Sequence, residues 1–159
     1  PGDSISDHAA LYKSWISNEG TVTTTNILID LTGLHSTHAN DVIGNDGDGD
    51  NAHIGQYTTA KMGTLFAVHM HCLEQPQGGD PDINLSFATE ATLEEDDALS
   101  GGTDSGTLLN NGDLSAGFHG WAITGFPAAN QYFYLVAGDA TNADYTHGVI
   151  HIKFYGTTA

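Results

Sequence analysis

His69 and His71 stand two apart in GTLFAVHMHCLEQ (63–75), a run whose apolar and aromatic residues read as a strand. Residues two apart share one face of a strand, so both imidazoles project to the same side, at metal-ligand spacing on a β scaffold. A zinc or copper site there needs a third ligand from another strand. Half-exposed sheet histidines, or a subunit interface, need none. His151 lies on the last strand, on the face opposite Ile150 and Ile152. Close in space, such histidines would titrate near neutral pH and make assembly pH-sensitive.

A second constellation is NDGDGDN (45–51), where Asp46, Asp48 and Asp50 alternate like the first oxygen ligands of a calcium loop. The match then fails. Asn51 stands where the helical calcium loop needs glycine, and Tyr57 where it needs a bidentate glutamate. A solvated Asp-Gly loop or a looser Ca²⁺ site on the surface are the two readings left. GGDPD (78–82) offers Asp80 and Asp82 to a cation, or is simply a tight inter-strand turn. Glu94, Glu95, Asp96 and Asp97 are consecutive, which reads as a solvated charge run. There is no GxSxG elbow, phosphate loop or dinucleotide fingerprint, and Cys72 alternates with core-facing residues as a buried, inert thiol. No enzyme is expected.

The elements that must position these residues are strands. Twenty glycines and many Thr, Asn and Ser, within 159 residues, point away from helix. TVTTTNILIDLTGL (21–34), IGQYTT (54–59), residues 63–75, INLSFATE (83–90), FHGWAITGF (118–126), QYFYLVA (131–137) and GVIHIKFYG (148–156) carry β-branched, alternating patterns. The last two read as an antiparallel hairpin. In the 63–75 run, Phe66, Val68, Met70 and Cys72 are expected on one face, and His69 and His71 on the other. About seven or eight strands without a βαβ rhythm predict an all-β antiparallel sandwich, jelly-roll-like, spanning residues 21–159. Residues 1–20 read as an N-terminal arm or a short helix, with Tyr12, Trp15 and Ile16 covering a sheet edge or the open side of the core, or reaching a neighbouring subunit. Trp15, Trp121 and Tyr132 lie in apolar runs and read as core aromatics, with stacking on sugar rings as the alternative.

Charge bounds the partners. Twenty Asp and Glu face three Lys and no Arg, a formal charge of -17. Phosphate binding needs clustered cations, so no nucleic-acid partner is expected, and an anionic membrane would repel the chain. One cysteine allows no intrachain disulfide. The opening PGDSISDHAA has neither a basic start nor an apolar segment, which fits synthesis in a cytosol without a signal peptide.

NILIDLTGL (26–34), DVIGN (41–45), AHIGQ (52–56), CLEQPQGGDPDINL (72–85) and the terminal FPAANQYFYLVAGDATNADYTHGVIHIKFYG (126–156) resemble small virion structural proteins of marine tailed bacteriophages, including those infecting cyanobacteria. The resemblance implies a non-enzymatic part of a phage particle. A small acidic sandwich then fits an outer-surface cement or decoration protein. It would bind the major capsid protein as a symmetric homo-oligomer such as a trimer. The contact residues expected are Tyr12, Trp15 and Ile16 in the arm and Asp139, Asp144 and His147 in the loop between the last two strands. A tail- or fibre-associated sandwich that binds metal or carbohydrate is the alternative.

Overall fold

The computed structural model describes residues 5–46 and 49–159. A 3₁₀ turn at Ile5–Asp7 leads into β1 (Leu11–Glu19) and β2 (Val22–Asp30), then two short strands, β3 (His35–Ser36) and β4 (Gly55–Gln56). A single helical turn, α1 (Thr59–Met62), precedes the long β5 (Thr64–Gln77). β6 (Ile83–Ala88), β7 (Gly106–Leu109), β8 (His119–Ala122), β9 (Tyr132–Ala137), β10 (Ala143–Asp144) and β11 (His147–Thr157) complete the chain. Among the described residues no helix is long and apolar enough to cross a membrane.

The strands form a five-stranded sheet, β1-β2-β11-β5-β8, and a four-stranded sheet, β4-β9-β6-β7, with β3 and β10 as a small separate pair. Every ladder is antiparallel. Without β1 and the small pair, the strands pair from the outside in: β2 with β11, β4 with β9, β5 with β8, β6 with β7. That nesting, divided between two sheets, is the jelly-roll arrangement. Eleven strands replace the expected seven or eight, because β1, β3 and β10 add to the eight of the roll.

Three expectations need correction. First, Leu11–Glu19 is not a short helix but a strand on the edge of the five-stranded sheet: β1 pairs with β2 over nine consecutive residues. The apolar residues at 11, 12, 15 and 16 suit a helical stripe, but the ladder to β2 supplies backbone partners along the whole segment. Tyr12 points inward and donates its hydroxyl to the Ile54 carbonyl at 2.6 Å. Second, β9 and β11 are not a hairpin. They lie in opposite sheets, and the rings of Phe133 and Phe154 meet between them at 4.3 Å. The intervening loop is long enough to cross the ~10 Å between packed sheets. Third, Phe66 faces outward. The register slips between Tyr155↔Ala67 and Gly156↔Leu65, and this bulge turns Leu65 into the core and Phe66 out of it.

The main core lies between the sheets, with Ile27, Ile29, Met70, Ile150, Ile152 and Phe154 facing Leu85, Phe133 and Leu135. The four-stranded sheet is covered on its other side as well. There Tyr134 and Val136 pack with Val42, Leu93 and Leu99 from the long connections. Cys72 is fully buried, and burial raises its thiol pKa. Tyr145, in a loop that composition alone marks as polar surface, is fully buried and donates its hydroxyl to the Asp80 carbonyl at 2.7 Å. Its ring lies where a side chain on Gly79 would stand. Tyr145→Phe removes that donor and leaves a buried acceptor, so the expected loss is about 1–3 kcal/mol, read by urea denaturation.

Candidate functional site

Among the described residues the outer face of the five-stranded sheet has no covering layer, in contrast to the four-stranded sheet. Strand alternation and register arrange its side chains in rows. One row runs Trp15, Asn26, Lys153, His69, Trp121, and the next Lys13, Leu28, His151, His71, His119. Five of the seven exposed large hydrophobic residues among the described residues belong to this face: Leu11, Trp15, Phe66, Leu73 and Trp121, with Ile123 exposed just beyond β8. The seventh, Ile16, is on the inner side of β1, at the mouth of a cleft of about 240 Å³ between β1 and β4. The two central rows hold no carboxylate. Asp30, Glu74 and Glu19 lie toward the ends of the same face.

Within those rows the rings stack. His69 stacks on Trp121 at 4.2 Å and on His119 at 4.9 Å, and His71 stacks on His119 at 4.0 Å. His69 Nε2 and His119 Nδ1 are hydrogen-bonded at 2.7 Å, one nitrogen donating and the other accepting. Trp15 stacks on His151 at 5.5 Å, and His151 Nε2 bonds Asn26 Oδ1 at 3.0 Å. An amide oxygen only accepts, so His151 carries its proton on Nε2. Tyr155 extends the aromatic surface toward Trp121 and Phe66, at 6.0 and 6.2 Å.

Although it projects from an outer face, His69 is only 8% exposed, because its neighbours' rings cover it. Burial, reinforced by the charges of His119, His71, Lys153 and His151, lowers its pKa to about 4. Burial and nearby positive charge also lower His71 and His151. The patch is therefore an aromatic, nitrogen-rich surface in which His69, His71 and His151 are neutral at pH 7 and the ammonium groups of Lys13 and Lys153 supply positive charge, on a chain that is otherwise strongly acidic.

The acidic constellations are organised differently from their sequence reading. Asp46 and Asp50 diverge: Asp46 joins His35 and Asp144, while Asp50 pairs with His8 at 2.8 Å. Asp48 lies outside the described residues. Asp46 and Asp50 are therefore not brought together in one ligand group, because each has its own distant partner. His35 Nδ1 lies 2.7 Å from Asp144 Oδ1, and its Nε2 lies 3.1 Å from Asn142 Oδ1. Burial opposes protonation of His35, but these acceptors outweigh it and raise its pKa. His38, Asp41 and Asp96 form another close group, and Asp82, Asp113 and Asp139 a third. Beside the third, the buried Asp80 carboxylate accepts the backbone N–H groups of Asp82 and Asp139 at 3.1 and 2.6 Å. Asp82 Oδ1 is buried without a partner. Oxygens this close are a hard-cation donor set of the Ca²⁺ type.

The expected contact residues do not form one surface. Trp15 is on the outer face, whereas Tyr12 and Ile16 are on the opposite side of β1. Asp139 and Asp144 belong to the acidic groups just described, and His147 is exposed at the start of β11. The core-aromatic reading of the tryptophans is overturned: Trp121 is 58% and Trp15 39% exposed. Tyr132 is half-buried, with its ring 4.9 Å from His53. Sequence reasoning missed His119 and Asn26. The only available signal was the HxW alternation at 119–121 in a short strand, and nothing in it states which strand lies alongside. Comparison of the chain with protein-family models, curated proteins and solved structures found no match.

Proposed function

We propose that the chain is a non-enzymatic structural protein of a bacteriophage particle, an outer-surface capsid cement or decoration protein. In this reading it docks on the major capsid protein through the outer face of its five-stranded sheet, as a homo-oligomer such as a trimer. The observation that carries it is the concentration of exposed Leu11, Trp15, Phe66, Leu73 and Trp121 on one face. A contiguous apolar patch marks an interaction surface, and tryptophan is enriched among residues that dominate interface energies. The acidic excess elsewhere favours solubility and disfavours contact with packaged genome.

A carbohydrate-binding role is served less well. Each tryptophan already has a ring partner on its own sheet, Trp121 on His69 and Trp15 on His151, leaving at most one face of each for a sugar. A protein partner can use ring edges as well as faces.

Phage particles carrying Trp121→Ser together with Phe66→Ser are expected to lose most of the protein on purification. Quantitative mass spectrometry of wild-type particles should find it at a copy number comparable with the shell subunit. Neither side chain is part of the core between the sheets, so the isolated variant should stay folded, as read by its melting curve. Unchanged occupancy of the variant, or only a few copies per wild-type particle, would refute capsid docking by this face.

A further inference from the structure

We infer that His69, His71 and His119 form a binding site for a late first-row divalent metal ion, Zn²⁺, Ni²⁺ or Cu²⁺. The inference is independent of the virion reading, since it concerns the isolated chain. Three imidazoles reach one place from two adjacent strands. His71 and His119 are register partners, and His69 stands one row along from both. The third ligand that the His69–His71 pair needs is therefore supplied by β8.

The distances are close to those of a site. His69 Nε2 and His119 Nδ1 are 2.7 Å apart. Two nitrogens on a tetrahedral zinc with bonds of ~2.0–2.1 Å are separated by about 3.4 Å. The pair must part by well under 1 Å to admit an ion, and the proton between them moves to the other nitrogen of the donating ring, which frees both facing lone pairs for the ion. His71, now stacked on His119, comes in by turning its ring about its side-chain torsions. The three ring nitrogens are not all within 4.8 Å of one another before that rotation, so His71 is the ligand that closes the site.

The donor set selects the metal. Imidazole nitrogens suit Zn²⁺, Ni²⁺ and Cu²⁺, whereas Ca²⁺ and Mg²⁺ take oxygens, and the central rows contain no carboxylate. Lys153, the register partner of His69, is the one charge that opposes a cation at this spot. Its ammonium sits on a flexible stem and can swing away. His151, the register partner of His71, is tied to Asn26 through Nε2 and has Nδ1 left as a further donor.

Trp121, stacked on His69, is a built-in reporter. In a Trp15→Phe protein it is the sole tryptophan, and Ni²⁺ or Cu²⁺ is expected to quench it saturably at one ion per chain at pH 7. Calorimetry with ZnCl₂ should give the same stoichiometry, and frozen-solution spectra of the Cu²⁺ form should show coupling to several nitrogens. His119→Ala and His69→Gln are each expected to weaken binding at least tenfold, while Asp82→Asn should leave it unchanged. Melting curves without metal establish that each variant is folded, and CaCl₂ should not quench. Absence of saturable quenching in the histidine-intact protein overturns the assignment. So does equal affinity in the folded His119→Ala and His69→Gln variants, or loss of binding in Asp82→Asn, which would place the ion on the carboxylates.

Discussion

Between pH 6.5 and about 4, the protein kept metal-free by a chelator is expected to lose on the order of 3 kcal/mol of folding stability through His69 alone. The unfolded chain takes a proton on this residue near pH 6.5, while the folded chain, which buries it among rings and other histidines, refuses one until about pH 4. The stability His69 allows is therefore fully present above pH 6.5, falls as pH is lowered through that window, and changes no further below it. His71 and His151 act in the same direction. Four carboxylates act against them. Burial raises the pKa of Asp41, Asp80, Asp82 and Glu95, so the folded state binds their protons sooner than the unfolded state does and gains stability in acid. His35 also has a raised pKa, and its contribution is lost only as pH rises through that value.

A difference measurement separates these contributions. His69→Gln keeps an amide beside His119 but removes the titration. The gap between wild-type and variant urea midpoints should change by the equivalent of on the order of 3 kcal/mol between pH 7 and pH 4. Parallel midpoint curves for the two proteins would show that His69 titrates normally in the folded state.

Half of this site was legible in the chain. The alternation of Ile150, Ile152 and Phe154 placed His151 outward, and two-residue spacing placed His69 and His71 together. What joins them to His119 is a pairing between β5 and β8, separated by more than forty residues, and register between distant strands leaves no local signature. Trp121 misled for a related reason. Its neighbours Ala122 and Ile123 are apolar, but one is buried and the other exposed, so an apolar run did not mean a buried one. Strand β9 shows the converse. FYLVA is apolar throughout because it is covered on both faces, by the main core and by the long connections. The Phe66 bulge is opaque in the same way, since one extra residue inverts the pattern without changing the composition. The acidic loops were legible as polar and nothing more, because their partners, such as His8 for Asp50, come from remote positions.

Phe154→Ala is expected to cost about 3–5 kcal/mol, against a total stability of ~5–15 kcal/mol for a domain. Phe154 is fully buried in the central part of the five-stranded sheet and meets Phe133 of the opposite sheet with ring centroids 4.3 Å apart. Truncation removes both the ring's transfer free energy and its packing. The site cannot readily collapse, because β11 is held by ladders on both sides. Both phenylalanines also line the cleft of about 240 Å³ beside β1, so the new void would join an existing one and admit water. Urea unfolding should show a lower midpoint at nearly constant slope. A cycle with Phe133→Leu should return a coupling of about 0.5–1.5 kcal/mol, as for other aromatic pairs. Lys153 and Tyr155 flank Phe154 on the outward side of the same strand. Loss of its anchor should therefore also weaken the near-ultraviolet dichroism of the Trp121–Tyr155 stack before the protein unfolds. A cost below about 1 kcal/mol with that signal intact would mean that the two sheets are clasped elsewhere, and that the outer face does not depend on this part of the core.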